Sequence, residues 1–295
     1  MRLVVLCLLT LMLFSCVADE EVEKKVKHNG VIITGWNKVK TPTLKNPQVY
    51  GSYSAGCFDG AEALPSSGYG YQLVRKGRNR FYAHESMINY LEKFAKKVKD
   101  DNNATLLISD LSQARGGPPD INKSKHLSHQ TGLDVDIWFR FLEDDEKLEK
   151  SEGSPSVVNW NKTKIDPVWW KKEHRDILKY AASFPEVERI FVNAAIKKRL
   201  CKYHANEEWM AKIRPWWGHS SHFHVRIACP DDSSHCKDQA PVPKGDGCDE
   251  SLDWWFSQEA KNKLKESATK KPRYPVLPYQ CRNVYDWESE SLAKK

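Results

Sequence analysis

An α+β fold is predicted, a single domain on a small antiparallel sheet core with a C-terminal tail pinned by cysteines. Three observations carry it. Short runs of strand type, such as "LDVDIWF" (133–139) and "HFHVRIAC" (222–229), alternate with longer segments of helical periodicity. The chain has 295 residues and 40% hydrophobic content, enough to bury a full core. Beyond residue 16 stand six cysteines, Cys57, Cys201, Cys229, Cys236, Cys248 and Cys281, an even set that suggests disulfides in an exported chain.

The first element is a targeting segment. One arginine precedes an apolar run from Leu3 to Phe14, too short for a permanent membrane span, so residues 1–15 read as a signal peptide. It ends at Leu13-Phe14-Ser15-Cys16, similar to a bacterial lipobox, which would make the Cys16 thiol the site of lipidation and possible membrane attachment. The reading is therefore an exported, periplasmic protein. Residues 16–50 are charged, then rich in Lys, Thr and Pro, and read as a tether. Residues 51–240 form the main domain, and residues 241–295 an extension tied back by disulfides.

Within the domain, Met87, Leu91, Phe94 and Val98 recur at helical spacing in "ESMINYLEKFAKKV". "ATLLIS" (104–109) reads as a buried strand ending in the loop "ARGGPPD", a position where loops often contact ligands. "LEDDEKLEKSEG" is a solvated insertion, "PVWWKKEHRDILKYAASF" a helix started by Pro167, "ERIFVN" a short strand. A further helix is expected near 251–265. No internal repeat is evident. A net charge of +7 permits attraction to nucleic acid, anionic lipid or an anionic wall polymer. Lysines and glutamates interleave along most of the chain, however, so the charge reads as solvated surface and no nucleic-acid partner is expected. The oligomeric state is left open.

Five of ten histidines fall in "HLSHQTGLDVDIWF" (126–139) and "GHSSHFHVRI" (218–227). Period-two geometry puts His222, His224 and Arg226 on one strand face and Phe223, Val225 and Ile227 on the other. The same rule separates Asp134, Asp136 and Trp138 from Leu133, Val135 and Ile137. A carboxylate in a buried strand needs a cation or donors. Gly132 permits a turn that folds His129 back over the strand. Imidazoles plus one carboxylate suit Zn2+, and three protein ligands define a catalytic rather than a structural site. His129, Asp136 and one histidine of the H-x-H pair supply that set in a cleft on the sheet, leaving the other histidine as a general base. C-x-x-C pairs are absent, which argues against zinc held by thiols.

The pairing of "SHQTGLDVDIWF" with H-x-x-H-x-H-V-R resembles the penicillin-insensitive murein endopeptidases, within the wider lysostaphin and D-Ala-D-Ala metallopeptidase group. "GSYSAGCFDGAEALP", "RIFVNAAIKKRLC", "KIRPWWGHSSHFHVRIACP" and "APVPKGDGC" extend the resemblance in order and spacing over about Trp36 to Cys281. The resemblance implies that His129, Asp136 and His224 bind one catalytic zinc and that His222 is the catalytic base. It places His126 and His219 in the same cleft, to orient substrate, polarise the scissile carbonyl's oxyanion or contact the metal, with His126 counted among the metal residues and His219 among the catalytic ones. It also implies the disulfides Cys57–Cys281, Cys201–Cys248 and Cys229–Cys236. A second metal is doubtful, because "SEGSPSVVNW" lacks the Asp and His pair that some relatives carry there.

Other candidates are separate from that core set. Arg115 and Arg226 could hold substrate carboxylates, although Arg115 with its glycines could equally form a turn and Arg226 could pair with a protein acid. Asp134 could orient a ligand or cap the turn. Trp169–Trp170 and Trp216–Trp217 could stack on sugars or pack in the core. The functional expectation is a zinc-dependent endopeptidase that cuts D-alanyl–meso-diaminopimelyl cross-links in peptidoglycan and is insensitive to penicillin. Alternatives are a D,D-carboxypeptidase or dipeptidase on wall peptides, and a non-catalytic, metal-stabilised wall-binding protein.

Overall fold

The computed structural model describes residues 30–124, 127–142 and 153–287. The signal peptide, Cys16, His126 and most of the charged 142–153 run lie outside the described residues. In chain order the strands are β1 (Gln48–Ser52), β2 (Ala55–Asp59), β3 (Glu62–Ala63), β4 (Ser67–Gly68), β5 (Tyr71–Leu73), β6 (Tyr82–Ala83), β7 (Thr105–Ile108), β8 (Asp134–Leu142), β9 (Val187–Val192), β10 (Ile213–Pro215) and β11 (His222–Ile227). The helices are α1 (Glu85–Asn102), α2 (Lys172–Ser183), α3 (Ala194–His204), α4 (Ser251–Trp254), α5 (Gln258–Thr269) and α6 (Gln280–Tyr285).

Seven strands form one sheet in the order β10-β9-β11-β8-β7-β5-β4. The expected small antiparallel sheet is corrected to a mixed one. Its centre, β9-β11-β8-β7, is antiparallel, but β5 pairs with β7 and β9 with β10 in parallel. Parallel neighbours need a long crossover. Here α1 lies in the β5-to-β7 connection and α3 in the β9-to-β10 connection.

The two histidine strands sit side by side at the sheet centre, with His224 opposite Asp136 and Arg226 opposite Asp134. Their alternate residues Val135, Ile137, Phe223 and Val225 are fully buried in one cluster with Met87, Leu91, Phe94 and Val98 of α1 and Ile177 and Leu178 of α2. Burying each such side chain contributes about 1.5–3 kcal/mol. A one-residue slip would turn all of them outward and drive the charged face into the core, so burial fixes the register that pairs the polar groups.

The helix expected from Pro167 begins at Lys172 instead. Asp166 closes a separate turn by accepting from Val168 N through Oδ1 and from Trp170 N through its carbonyl. Lys171 is then extended, and its N–H donates to His174 Nδ1 at 2.9 Å to start the helix.

The stretch read as a tether is partly folded onto the domain. Val31 and Leu277 exchange backbone hydrogen bonds, both 2.8 Å, and Ile33 and Trp36 are buried with Cys57, Leu277, Cys281 and Val284. Gly117, at φ 74°, lies so close to the Trp36 ring that a Cβ there would come within 2.0 Å of it. The three disulfides are Cys57–Cys281, Cys201–Cys248 and Cys229–Cys236, spanning 224, 47 and 7 residues. The first closes the longest loop and constrains the unfolded chain most. Replacing Cys57 and Cys281 together by serine is expected to lower unfolding free energy by about 2–5 kcal/mol, measured as a denaturant midpoint. An unmoved midpoint would show that packing around Trp36 holds both termini without the bond.

Candidate metal centre

His129 and the H-x-H strand reach the same point by different routes. His129 precedes β8 in a left-handed conformation, φ 66°. Its N–H donates to Asp134 Oδ2 at 3.1 Å and its carbonyl accepts from the Ser112 hydroxyl at 2.6 Å. Gly132, at φ 72°, completes the turn, and a Cβ there would meet His84 N at 2.6 Å. The imidazole therefore folds back toward Asp136, as Gly132 suggested.

His129 Nε2 lies 3.4 Å from Asp136 Oδ1, and His224 Nδ1 lies 3.2 Å from the same oxygen. His129, Asp136 and His224 each offer one donor atom, all within 4.8 Å of one another, and all three residues are buried. Neither ring nitrogen of His129 nor Asp136 Oδ1 is in hydrogen-bond geometry with another group. Buried polar atoms are normally satisfied. An imidazole nitrogen and a carboxylate oxygen left unbonded beside a second imidazole have the chemistry of a cation site.

Asp134 caps the turn and also bonds a candidate ligand, so its two readings do not exclude each other. One oxygen caps the His129 turn, and Oδ1 accepts from His224 Nε2 at 2.8 Å. With that nitrogen committed to Asp134, Nδ1 is the atom that faces Asp136 and the donor cluster. Arg226 in turn binds Asp134 through Nε at 2.8 Å and Nη2 at 3.2 Å. Burial raises the Asp134 carboxyl, but Arg226 and His224 outweigh it and hold the group ionised. Burial likewise raises Asp136, against which His129 and His222 keep its carboxyl well below the usual range.

The other two histidines stand on the far side of Asp136. His222 Nε2 is 3.8 Å from Asp136 Oδ2, and Asp136, His219 and His222 form a second convergent trio of donors. His219 adopts φ 48° and donates through Nδ1 to Trp217 O at 2.8 Å. Its carbonyl accepts from Asn193 N at 2.9 Å, and Asn193 Nδ2 holds Gly218 O at 2.9 Å. Asn193 also caps α3, a pairing of cap and loop support that only the tertiary structure reveals. Burial, with His222 and His224 adding to it, pushes His219 down to about 3, so its ring is neutral at pH 7.

The two arginines expected to hold substrate are committed to the protein. Arg115 is buried, donating through Nε to Thr41 O at 2.9 Å and through Nη1 to Tyr285 O at 2.9 Å and Val284 O at 3.2 Å. It ties the N-terminal segment to the carbonyl end of α6, where a cation is favourable. Arg226 binds Asp134 and Gln239 and lies 4.0 Å over the Tyr53 ring. Arg226 thus pairs with a protein acid, one of its two readings, and Arg115 is bonded to main-chain carbonyls distant in sequence. Asn193 was the residue of the site that sequence reasoning missed, since its contacts to His219 O and Gly218 O depend on a loop 25 residues away.

Residues 49–286 match the family model described as penicillin-insensitive murein endopeptidase. A protein of that name from Haemophilus influenzae is 42% identical over 255 residues, 84% of this chain and 87% of its own. One from Klebsiella pneumoniae is 37% identical over 257 residues, 86% and 91% of the two chains. A third, from Pectobacterium atrosepticum, is 35% identical over 257 residues, 86% and 89% of the two chains. The match spans both donor strands, all six disulfide cysteines and the tail that α6 closes, and the chain belongs to the penicillin-insensitive murein endopeptidase family.

Proposed function

We propose that the protein is a zinc-dependent endopeptidase of murein that hydrolyses the D-alanyl–meso-diaminopimelyl cross-link. The observation that carries this reading is the convergence of His129 Nε2 and His224 Nδ1 on Asp136 Oδ1, with His129 Nε2 and Asp136 Oδ1 buried and without hydrogen bonds of their own. Ligands at about 2.0–2.1 Å from a tetrahedral zinc lie roughly 3.3 Å apart. The separations of 3.4 and 3.2 Å fit that ion. Zinc held by His129, Asp136 and His224 would supply Lewis acidity to the scissile carbonyl and to the attacking water.

The chain's own residues do the rest. Asp134 fixes the proton of His224 on Nε2, and Arg226 fixes Asp134. His222, beside Asp136 Oδ2, takes the proton that the attacking water loses. His219, neutral and anchored to Trp217 O, presents its other nitrogen to the same space. Water rather than a side chain attacks, so a β-lactam finds no nucleophile to acylate.

Digestion of purified murein, with products resolved by mass, tests the reading. Cross-linked dimers should become monomers, and a chelator should stop this until zinc is restored. Release of terminal D-alanine alone would mark a D,D-carboxypeptidase instead.

Asp134→Asn is expected to weaken zinc binding by about 10–100-fold in competition with a chelator, the usual cost of losing a partner of a metal-bound histidine. Wild-type affinity in that variant would reduce Asp134 to a brace for the turn. Export and anchoring remain part of the proposal. Cys16→Ser should turn a membrane-pelleted protein into a soluble periplasmic one, and wild type that is already soluble would end the lipid reading.

A further inference from the structure

Four tryptophans meet beside the candidate metal centre. Trp216 and Trp217 precede His219 on its loop, and Trp254 and Trp255 come from α4 and the residue after it, in the C-terminal extension. Ring centroids are 4.8 Å apart for Trp217–Trp255, 5.4 Å for Trp254–Trp255, 6.1 Å for Trp217–Trp254 and 6.2 Å for Trp216–Trp255. None of the four is buried, and Trp216 is 51% exposed. An aromatic cluster serving only as core would bury its rings, the source of their stabilising effect. Trp216 is exposed and the other three are half-buried, and large apolar side chains gathered while partly open to solvent mark a binding surface.

The cluster is continuous with the site. Trp216 packs on Phe191 at 5.9 Å, and the Phe191 ring lies 5.3 Å from His224 and 6.3 Å from His219. Trp217 supplies the carbonyl that anchors His219. The extension that brings the second pair is clamped. Cys248, six residues before Trp254, is bonded to Cys201 of α3, and the buried Lys197 ammonium of the same helix binds Asp246 O and Met210 O. Burying a lysine is costly unless it is well bonded. The clamp holds the tryptophan pairs together in a fixed arrangement.

We propose that this ledge is a saccharide subsite that stacks pyranose rings of the glycan strand from which the peptide being cut hangs. The inference rests on the murein-endopeptidase reading. A pyranose offers a face of electropositive C–H groups that packs on an indole π-face, while its hydroxyl edges stay in water. Partly exposed indoles provide such a surface. In murein each stem peptide hangs from a sugar, so a cross-link in the donor cluster brings saccharide within reach of an adjoining ledge.

The test uses the full mature protein with zinc, and two cross-linked peptide dimers. One carries its disaccharides and the other has been stripped of them by an amidase. Trp254→Ala/Trp255→Ala should lower the preference for the sugar-bearing dimer, read as a ratio of kcat/KM, by about tenfold and through KM. Trp254→Tyr/Trp255→Tyr, which keeps aromatic faces, should retain most of it. Peptide-free glycan chains should shift the tryptophan fluorescence of wild type and not of the alanine variant. Equal loss on both dimers would reduce the ledge to a structural clasp, and an unaltered ratio would also overturn the subsite. If wild type cuts neither dimer, the endopeptidase reading has failed, and the glycan titration still decides the ledge: no shift overturns it.

Discussion

His129→Ala, Asp136→Ala and His224→Ala are each expected to yield folded protein with almost no zinc and no measurable cleavage of murein cross-links, against about one ion per chain in wild type. Each supplies one donor of a three-donor set, and two remaining donors cannot hold the ion against water. The variants should differ in stability. Asp136→Ala removes a buried anion with three imidazoles around it, His129 at 3.4 Å, His224 at 3.2 Å and His222 at 3.8 Å. His224→Ala instead strips Asp134 of one partner while Arg226 still neutralises it. The disulfides hold the fold in every case, so circular dichroism should change little while metal analysis changes completely. Full zinc retention in all three would remove this cluster as the metal site, and loss in His222→Ala alone would shift it to the trio of Asp136, His219 and His222.

Much of this centre was legible because strand geometry is local. The period of two placed His222, His224 and Arg226 on one face, and Asp134 and Asp136 on a matching face, without knowledge of the fold. Pairing of those faces was not legible: the register His224 to Asp136 is set by apolar residues on the opposite side meeting α1 and α2. Partners supplied by distant chain segments were not legible for the same reason. Arg115 looked like a loop cation available to substrate, and its partners Thr41 and Tyr285 are 74 and 170 residues away. Trp36 lay in a Lys- and Pro-rich stretch with tether composition, and only its burial against Cys281 shows that the segment folds. The parallel pairings of the sheet were not legible because β5 and β10 are three residues each, too short to show a period.

His222→Ala should separate chemistry from metal binding. His222 and His224 share a strand face, but their surroundings differ. His224 has one nitrogen on Asp134 and the other 3.2 Å from Asp136 Oδ1, within the ligand set. His222 approaches the opposite oxygen at 3.8 Å and is less enclosed, its side chain 19% exposed against 4% for His224. Burial lowers the His222 pKa from 6.5, and His224 and His129 add to this; Asp136 and Asp110 pull upward without cancelling it. A lowered pKa leaves the ring neutral at pH 7 with a lone pair for the water's proton. A base works when deprotonated, so the acid limb of kcat/KM should fall below the 6.5 of a free imidazole. A bound cation nearby would move it further in the same direction. The alanine variant should keep its zinc and bind murein as wild type does, yet lose about 10²–10⁴-fold in kcat, the usual contribution of a positioned base. Its residual activity should no longer show the limb that His222 sets. Zinc loss from His222→Ala, with retention in His224→Ala, would show that base and ligand are exchanged. Near-wild-type kcat would move the proton transfer to His219, whose ring lies 5.0 Å from that of His222 on the loop that Asn193 holds.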